Sequence, residues 1–195
     1  MSVSPTVIEE WQSVEPPPLP TIKQVTVDPA KTAFLLLDFL RGVCTPEFRP
    51  RAAAALPKLK SFLQEARKRG MVIVHTTTSN EAGSGEELAE ALQPIEGERI
   101  YSAPFDKFHG NDLESFLRGR GIDTVIVTGT SANGCLLFTT AGALLRGFRA
   151  IVPIDGMPAK TPYQEQFVAW QIANGPGGFS RLGVLTRFDV ISFGK

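Results

Sequence analysis

Thr124-Val125-Ile126-Val127-Thr128-Gly129-Thr130-Ser131-Ala132-Asn133-Gly134-Cys135, followed by the run Leu136 to Gly147, reads as a buried strand, a tight loop of small residues and a cysteine at the start of a helix. That setting is expected to lower the thiol's pKa, because unpaired backbone N–H groups and the helix dipole favour the thiolate. Gly129, Ser131, Ala132 and Gly134 leave backbone amides accessible, and Asn133 is placed to cap a helix that begins at Gly134 or Cys135. A thiolate among converging amides is an acyl-transfer nucleophile with an oxyanion site beside it. The competing reading of Cys135 is a buried structural thiol packed under the sheet.

Working outward, the same pattern of apolar run, turn and amphipathic stretch recurs along the chain. Ala33 to Leu37 is a continuous apolar run ending at Asp38, as in a central strand buried on both faces. Arg51 to Arg69 places Leu56, Leu59, Phe62, Leu63 and Ala66 on one helical face, with Gly70 as its stop. Pro57 inside that stretch is expected to start the regular helix or to kink it. Met71 to His75 is the next strand, Thr76 to Gly85 a loop, Glu86 to Leu92 a short helix and Arg99 to Tyr101 a short strand. Asn111 to Glu114 has the pattern of a capping box opening a helix. Arg149 to Ile154 and Gly183 to Thr186 are further strands, with a helix over Tyr163 to Ala173 between them.

Alternating strands and helices predict an α/β fold, a Rossmann-like three-layer sandwich with a mostly parallel central sheet. Right-handed crossovers then gather the strand C-termini along one edge, where ligands bind. Asp38, His75, the loop before Cys135, and Asp155 fall on that edge. Residues 1 to 30, rich in Pro, Glu, Val and Thr, are expected to form an extended arm, and residues 31 to 195 the domain. Trp11 and Leu19 in the arm require burial, either on the protein's own surface or on a neighbouring subunit. Gly175-Pro176-Gly177-Gly178 is no phosphate loop, since no Lys-Ser/Thr follows and no clear helix is expected after it.

Composition narrows the function classes. The 20 basic and 20 acidic side chains of the 195 residues balance, which gives no charge argument for nucleic acid or an anionic membrane. No apolar run approaches a membrane span, and the N-terminus lacks the order of a signal peptide. Two cysteines, Cys44 and Cys135, are too few for a disulfide-stapled fold, so a cytoplasmic location with reduced thiols is expected. With only two histidines, His75 and His109, a histidine-rich metal cage is excluded, and neither metal nor cofactor is expected.

Four further residues carry candidate chemistry. Asp38 is either a loop anchor or a general base that takes the Cys135 proton and returns it to a leaving amine. Lys107, in Pro104-Phe105-Asp106-Lys107-Phe108, is either a solvated surface charge or a cation that reaches the same edge. His75 either polarises a substrate or caps its own loop, and Arg41 is a guess for a substrate carboxylate.

Asp38 at a first-strand end, a loop lysine and the Gly-rich turn into Cys135 resemble the isochorismatase-like cysteine hydrolases. The similarity runs from about Lys31 to about Ile191. Its most specific parts are Val127 to Cys135, Arg146-Gly147-Phe148 and Val152-Pro153-Ile154-Asp155-Gly156-Met157. The resemblance implies a Rossmann-like sheet, an Asp38-Lys107-Cys135 triad, and cleavage of C–N bonds in small amides through a thioester. It also implies a non-proline cis peptide at Thr130-Ser131, an oxyanion hole from the Ser131 and Cys135 amides, and a homo-oligomer, dimer or tetramer. Substrate contacts are expected from Arg41, His75 and Asn133, the substrate being a small molecule.

Two features depart from the family pattern. The usual lysine position, six residues before Phe108, holds Ser102, so either Lys107 serves from a shifted loop or the lysine is missing. No histidine follows Asp38 in Phe39 to Cys44, where the family's nicotinamidases bind a metal. The alternatives to a cysteine amidase are a non-catalytic binding or scaffold member and an ether hydrolase that uses Asp38 alone.

Overall fold

The computed structural model describes residues 6–78 and 87–194. Six parallel strands form the central sheet: β2 (Thr32–Leu37), β3 (Val72–Thr77), β4 (Arg99–Ser102), β5 (Thr124–Gly129), β6 (Arg149–Pro153) and β7 (Gly183–Thr186), in the order β4-β3-β2-β5-β6-β7. Every residue of β2 and of β5 is buried, as a strand with helices or strands over both faces requires. The run Ala33 to Leu37 and the run Thr124 to Thr128 are therefore the two strands at the middle of the molecule.

The sheet separates two apolar layers. On one side Leu35, Leu37, Val125 and Val127 pack with α3 (Leu113–Arg118), α4 (Leu137–Leu145) and α5 (Pro162–Asn174). On the other, Phe34, Leu36, Ile73, Ile126 and Ile151 pack with α2 (Pro50–Lys68). Each fully buried Leu or Phe contributes roughly 1.5–3 kcal/mol relative to exposure, so these alternating strand residues dominate the fold's stability.

Part of the second layer is not helical. A parallel ribbon of β1 (Val25–Val27) with β8 (Ile191–Phe193) lies beside α2, burying Val25, Val27 and Ile191. Neither strand is in the sequence-based expectation, because three residues are too short for periodicity to show. β1 also brings the end of the expected arm into the domain: the Lys23 N–H bonds Leu185 O at 3.0 Å. Upstream, one helical turn, α1 (Val7–Glu10), is closed by a capping box from Thr6 and Glu9. Trp11 stays 63% exposed and Leu19 75% exposed.

Local differences have local causes. α2 runs unbroken from Pro50 through Pro57 because Pro57 faces solvent, where the Ala53 carbonyl left without its donor can be hydrated. A short helix, α6 (Gly178–Leu182), follows the Gly-Pro-Gly-Gly segment, contrary to expectation. The α3 start lacks a side-chain cap on Asp112; instead Asn111 Oδ1 accepts from the Leu113 N–H at 3.0 Å. Most of the loop expected over Thr76 to Gly85 lies outside the described residues. Of the helix expected over Glu86 to Leu92, only the turn Glu90–Leu92 is helical among the described residues; Leu88 instead bridges Leu40.

Candidate active site

Strand order reverses between β2 and β5: β3 and β4 continue outward from one, β6 and β7 from the other. At such a switch point the loops leaving the two strands diverge and open a crevice at their C-terminal ends. Asp38 leaves β2 there and Gly129-Thr130-Ser131 leaves β5, with Leu37 registered opposite Gly129. Gly129 is required at that contact, since a Cβ would overlap Leu37 Cβ.

Asp38 has φ +55°, a left-handed conformation that Asp tolerates better than most residues. The turn swings its carboxylate off the alternation of β2, and it is only 6% exposed. Oδ1 accepts from Thr76 Oγ1 at 2.7 Å, and the Asp38 N–H bonds Thr76 O at 3.2 Å. Oδ2 faces Lys107 Nζ at 2.8 Å.

Lys107 is fully buried, so the surface-charge reading of it is wrong. Its ammonium carries three donors and meets three oxygens: Asp38 Oδ2, Ala103 O at 2.7 Å and Thr77 O at 3.4 Å. α4 seats its loop: Thr139 Oγ1 accepts from the Lys107 N–H at 3.1 Å and donates to Phe105 O at 3.2 Å. Gly142, on the same helix, lets the Asp106 carboxylate approach where a Cβ would overlap it. Lys107 thus supplies the cation next to Asp38, while Ser102 ends β4.

Cys135 is 5% exposed, with its thiol near enough to Asp38 and Lys107 for both charges to act on it. Its pKa is pushed well above the ordinary thiol value, first by burial and then by the negative charge of Asp38. Lys107 and the Leu136 amide act the other way. The sequence-based expectation of a lowered pKa is therefore corrected. Regular helix begins only at Leu137, after a wide turn over Ala132–Leu136 in which Gly134 is non-helical, so no full helix dipole lies behind the sulfur. The raised pKa favours the neutral thiol over the thiolate.

The loop between β5 and this turn contains a cis peptide at Thr130-Ser131, where the resemblance implies it. The Ser131 N–H bonds no other group among the described residues. Asn133 does not cap the helix; its Oδ1 accepts from Ser131 Oγ at 2.7 Å. Asn133 is thereby tied to the loop beside Cys135.

Two expected substrate contacts lie elsewhere. His75 falls on the α2 face of β3, opposite in direction to Thr76, and its Nε2 pairs with Glu98 Oε2 at 2.8 Å. Arg67 of α2 engages the same carboxylate through Nε at 2.7 Å and Nη2 at 2.8 Å. Burial opposes ionisation of Glu98, but the Arg67 and His75 bonds and the Ile95 amide outweigh it and bring its pKa to about 2. His75 therefore belongs to a buried charge cluster under α2. Arg41 is exposed and lines a surface cavity of about 390 Å³ with Cys44, Leu56 and Lys60, a group that includes no triad residue. Burial raises the Cys44 thiol to about 11.

Sequence reasoning missed Thr76, Thr139 and the carbonyls of Thr77 and Ala103. Thr76 alone left a signal, because a strand-end hydroxyl one residue after His75 registers with Leu37, immediately before Asp38. Among the described residues no group of three or more His, Cys, Asp or Glu side chains converges, and no helix is long and apolar enough to cross a membrane.

Comparison with known proteins agrees with this fold. Maleamate amidohydrolase of Pseudomonas putida is 30% identical over 148 residues, which are 63% of this chain and 70% of that protein. N-carbamoylsarcosine amidase of an Arthrobacter species is 26% identical over 151 residues, 64% of this chain and 57% of its own length. The solved structure of an isochorismatase family protein from Desulfovibrio vulgaris superposes with a TM-score of 0.73 at 20% identity, over 82% of this chain and 95% of that one. A cysteine hydrolase from Pseudomonas syringae superposes with a TM-score of 0.71 at 23% identity, over 89% and 94%. At those identities the solved structures speak for the fold alone. The isochorismatase domain family model matches residues 32–180, three quarters of the sequence, and the chain belongs to the isochorismatase family.

Proposed function

We propose that this protein is a cysteine-dependent amidohydrolase that cleaves a C–N bond of a small amide. The observation that carries the reading is the buried Asp38–Lys107 pair at 2.8 Å, with the buried Cys135 thiol under the influence of both charges. Burying an acid, a base and a cation together is costly unless each is paired, so the arrangement has little structural use beyond its chemistry. Relatives named maleamate amidohydrolase and N-carbamoylsarcosine amidase support the bond type.

In this reading Asp38 accepts the Cys135 proton and the thiolate adds to the amide carbonyl. The oxyanion forms at the Ser131 and Cys135 amides, and the unused Ser131 N–H supports that placement. The tetrahedral adduct collapses to a thioester as Asp38 protonates the departing ammonia or amine. Asp38 then takes a proton from water, which attacks the thioester and frees Cys135. Lys107 holds the carboxylate in position and favours the transient thiolate. A buried lysine held by Asp38 and two carbonyls speaks against a member that has lost its cation.

The test is ammonia release from a panel of small amides, by wild type and by Cys135→Ala. Loss of at least about 100-fold is expected on removing the nucleophile. Undiminished release by the variant would favour the reading in which Asp38 alone acts on an ether or ester.

Self-association belongs to the same proposal. The arm and α5 expose Val14, Tyr163, Phe167 and Trp170 around an apolar groove of about 370 Å³ that a second copy of the chain would cover. Deleting residues 1–20 should lower the number of subunits in solution; an unchanged number would remove the arm from the contact. Both thiols are free, as a reducing cytoplasm would keep them.

A further inference from the structure

Arg49, the residue before α2, reaches the loop that carries the nucleophile. Its Nη1 donates to Thr130 Oγ1 at 3.0 Å, part-buried. Thr130 is itself fixed to the strand end, with its N–H on Leu37 O at 3.1 Å, next to Asp38. It also precedes Ser131, the proposed oxyanion donor. A guanidinium therefore sits against the same short loop as the acyl-transfer machinery.

Arg49 forms no ion pair among the described residues. Arg51 faces Glu165, Arg67 faces Glu98 and Arg146 faces Asp106 and Glu114, whereas Arg49 has no carboxylate within 4.0 Å among the described residues. A guanidinium offers five donors in a planar fork that matches a carboxylate, and Thr130 takes one of them. A part-buried cation with idle donors is unfavourable in the empty protein and becomes favourable when an anion arrives. A residue that merely braced Thr130 would need no charge.

We infer that Arg49 is a specificity-determining residue that binds a carboxylate carried by the substrate, a few atoms from the carbonyl that Cys135 attacks. The substrate class is then a short amide that also bears a free acid, and this rests on the amide-hydrolysis reading above. The inference gives Arg49 the role that sequence reasoning guessed for Arg41.

Two readouts on wild type, Arg49→Met and Arg49→Lys test it. Calorimetry with maleate, which is a carboxylate but not an amide, is compared with its neutral diamide, maleamide. Maleate should bind wild type and weaken about 10- to 100-fold in Arg49→Met, with Arg49→Lys in between and maleamide changed less than about threefold. Hydrolysis of maleamate should show the loss mainly in KM. No maleate binding by wild type, equal binding by Arg49→Met, or a parallel loss for maleate and maleamide would overturn the inference, the last pointing to a brace for Thr130. Arg49-dependent maleate binding without hydrolysis of any amide would leave the carboxylate site standing and defeat the amidase reading instead.

Discussion

Replacing Lys107 with Met should cost far more stability than a surface lysine would, and most of that cost should return when Asp38 is neutralised as well. The ammonium and carboxylate are 2.8 Å apart, with side chains 0% and 7% exposed. At an effective dielectric constant of about 20, their gross attraction is about 6 kcal/mol. Most of this offsets desolvation, so the lysine's removal reads as the cost of an orphaned buried carboxylate, about 3–5 kcal/mol. For a chain of this size that is a fall in Tm of roughly 6–20 °C. Asp38→Asn keeps the acceptor for Thr76 and tolerates the positive φ, so Lys107→Met/Asp38→Asn removes the orphan charge without a new clash. Urea denaturation of the four proteins closes the double-mutant cycle, and a coupling of at least about 2 kcal/mol is expected. Increasing salt should leave it nearly unchanged, because buried pairs are poorly screened. A Lys107→Met loss below about 1 kcal/mol, or strict additivity in the cycle, would refute the placement of a charged pair here.

Other consequences follow from the same contacts. Glu98→Gln should flatten the acid limb of stability: its folded pKa of about 2 lies below the ordinary 4.5, so its contribution is full above about pH 4.5 and is lost as pH falls toward 2. Acid unfolding of Glu98→Gln that follows the wild-type curve would contradict this. Thr139→Val leaves the buried Lys107 N–H without its acceptor and should cost about 1–3 kcal/mol in urea unfolding, whereas Thr139→Ser should cost much less. In Asp38→Asn the pH midpoint of Cys135 alkylation by iodoacetamide should move down, because the carboxylate's charge is gone while Lys107 remains, and amide hydrolysis should vanish. An upward shift would mean that Asp38 does not oppose the thiolate in the resting enzyme.

The elements that were legible in the sequence are those with a long physical signature. Continuous apolar runs mark β2 and β5, and the strand-loop-strand order alone places Asp38 and Cys135 on one edge. Lys107 was legible only as one of two alternatives, because burial of a lysine is decided by partners from three segments, Asp38, Thr77 and Ala103, that share no sequence pattern. His75 misled for the opposite reason. It was read as the strand's last residue, but β3 continues through Thr76 and Thr77, and its alternation sends His75 to the α2 face, where Arg67 and Glu98 are waiting. The thiol's raised pKa was hidden because a one-dimensional reading sees the helix after Cys135 and not the carboxylate in front of it. Arg49 gave no signal at all, since its partner Thr130 is 81 residues away.

The central claim is that Cys135 carries the acyl group. The most direct measurement is the intact mass of the protein quenched in acid during turnover of a hydrolysed amide, followed by peptide mapping. The expected result is an added acyl mass on the peptide containing Cys135, labile to hydroxylamine as a thioester is, and absent from Cys135→Ala. Turnover with no adduct in wild type, together with ammonia release that survives in Cys135→Ala, would contradict it.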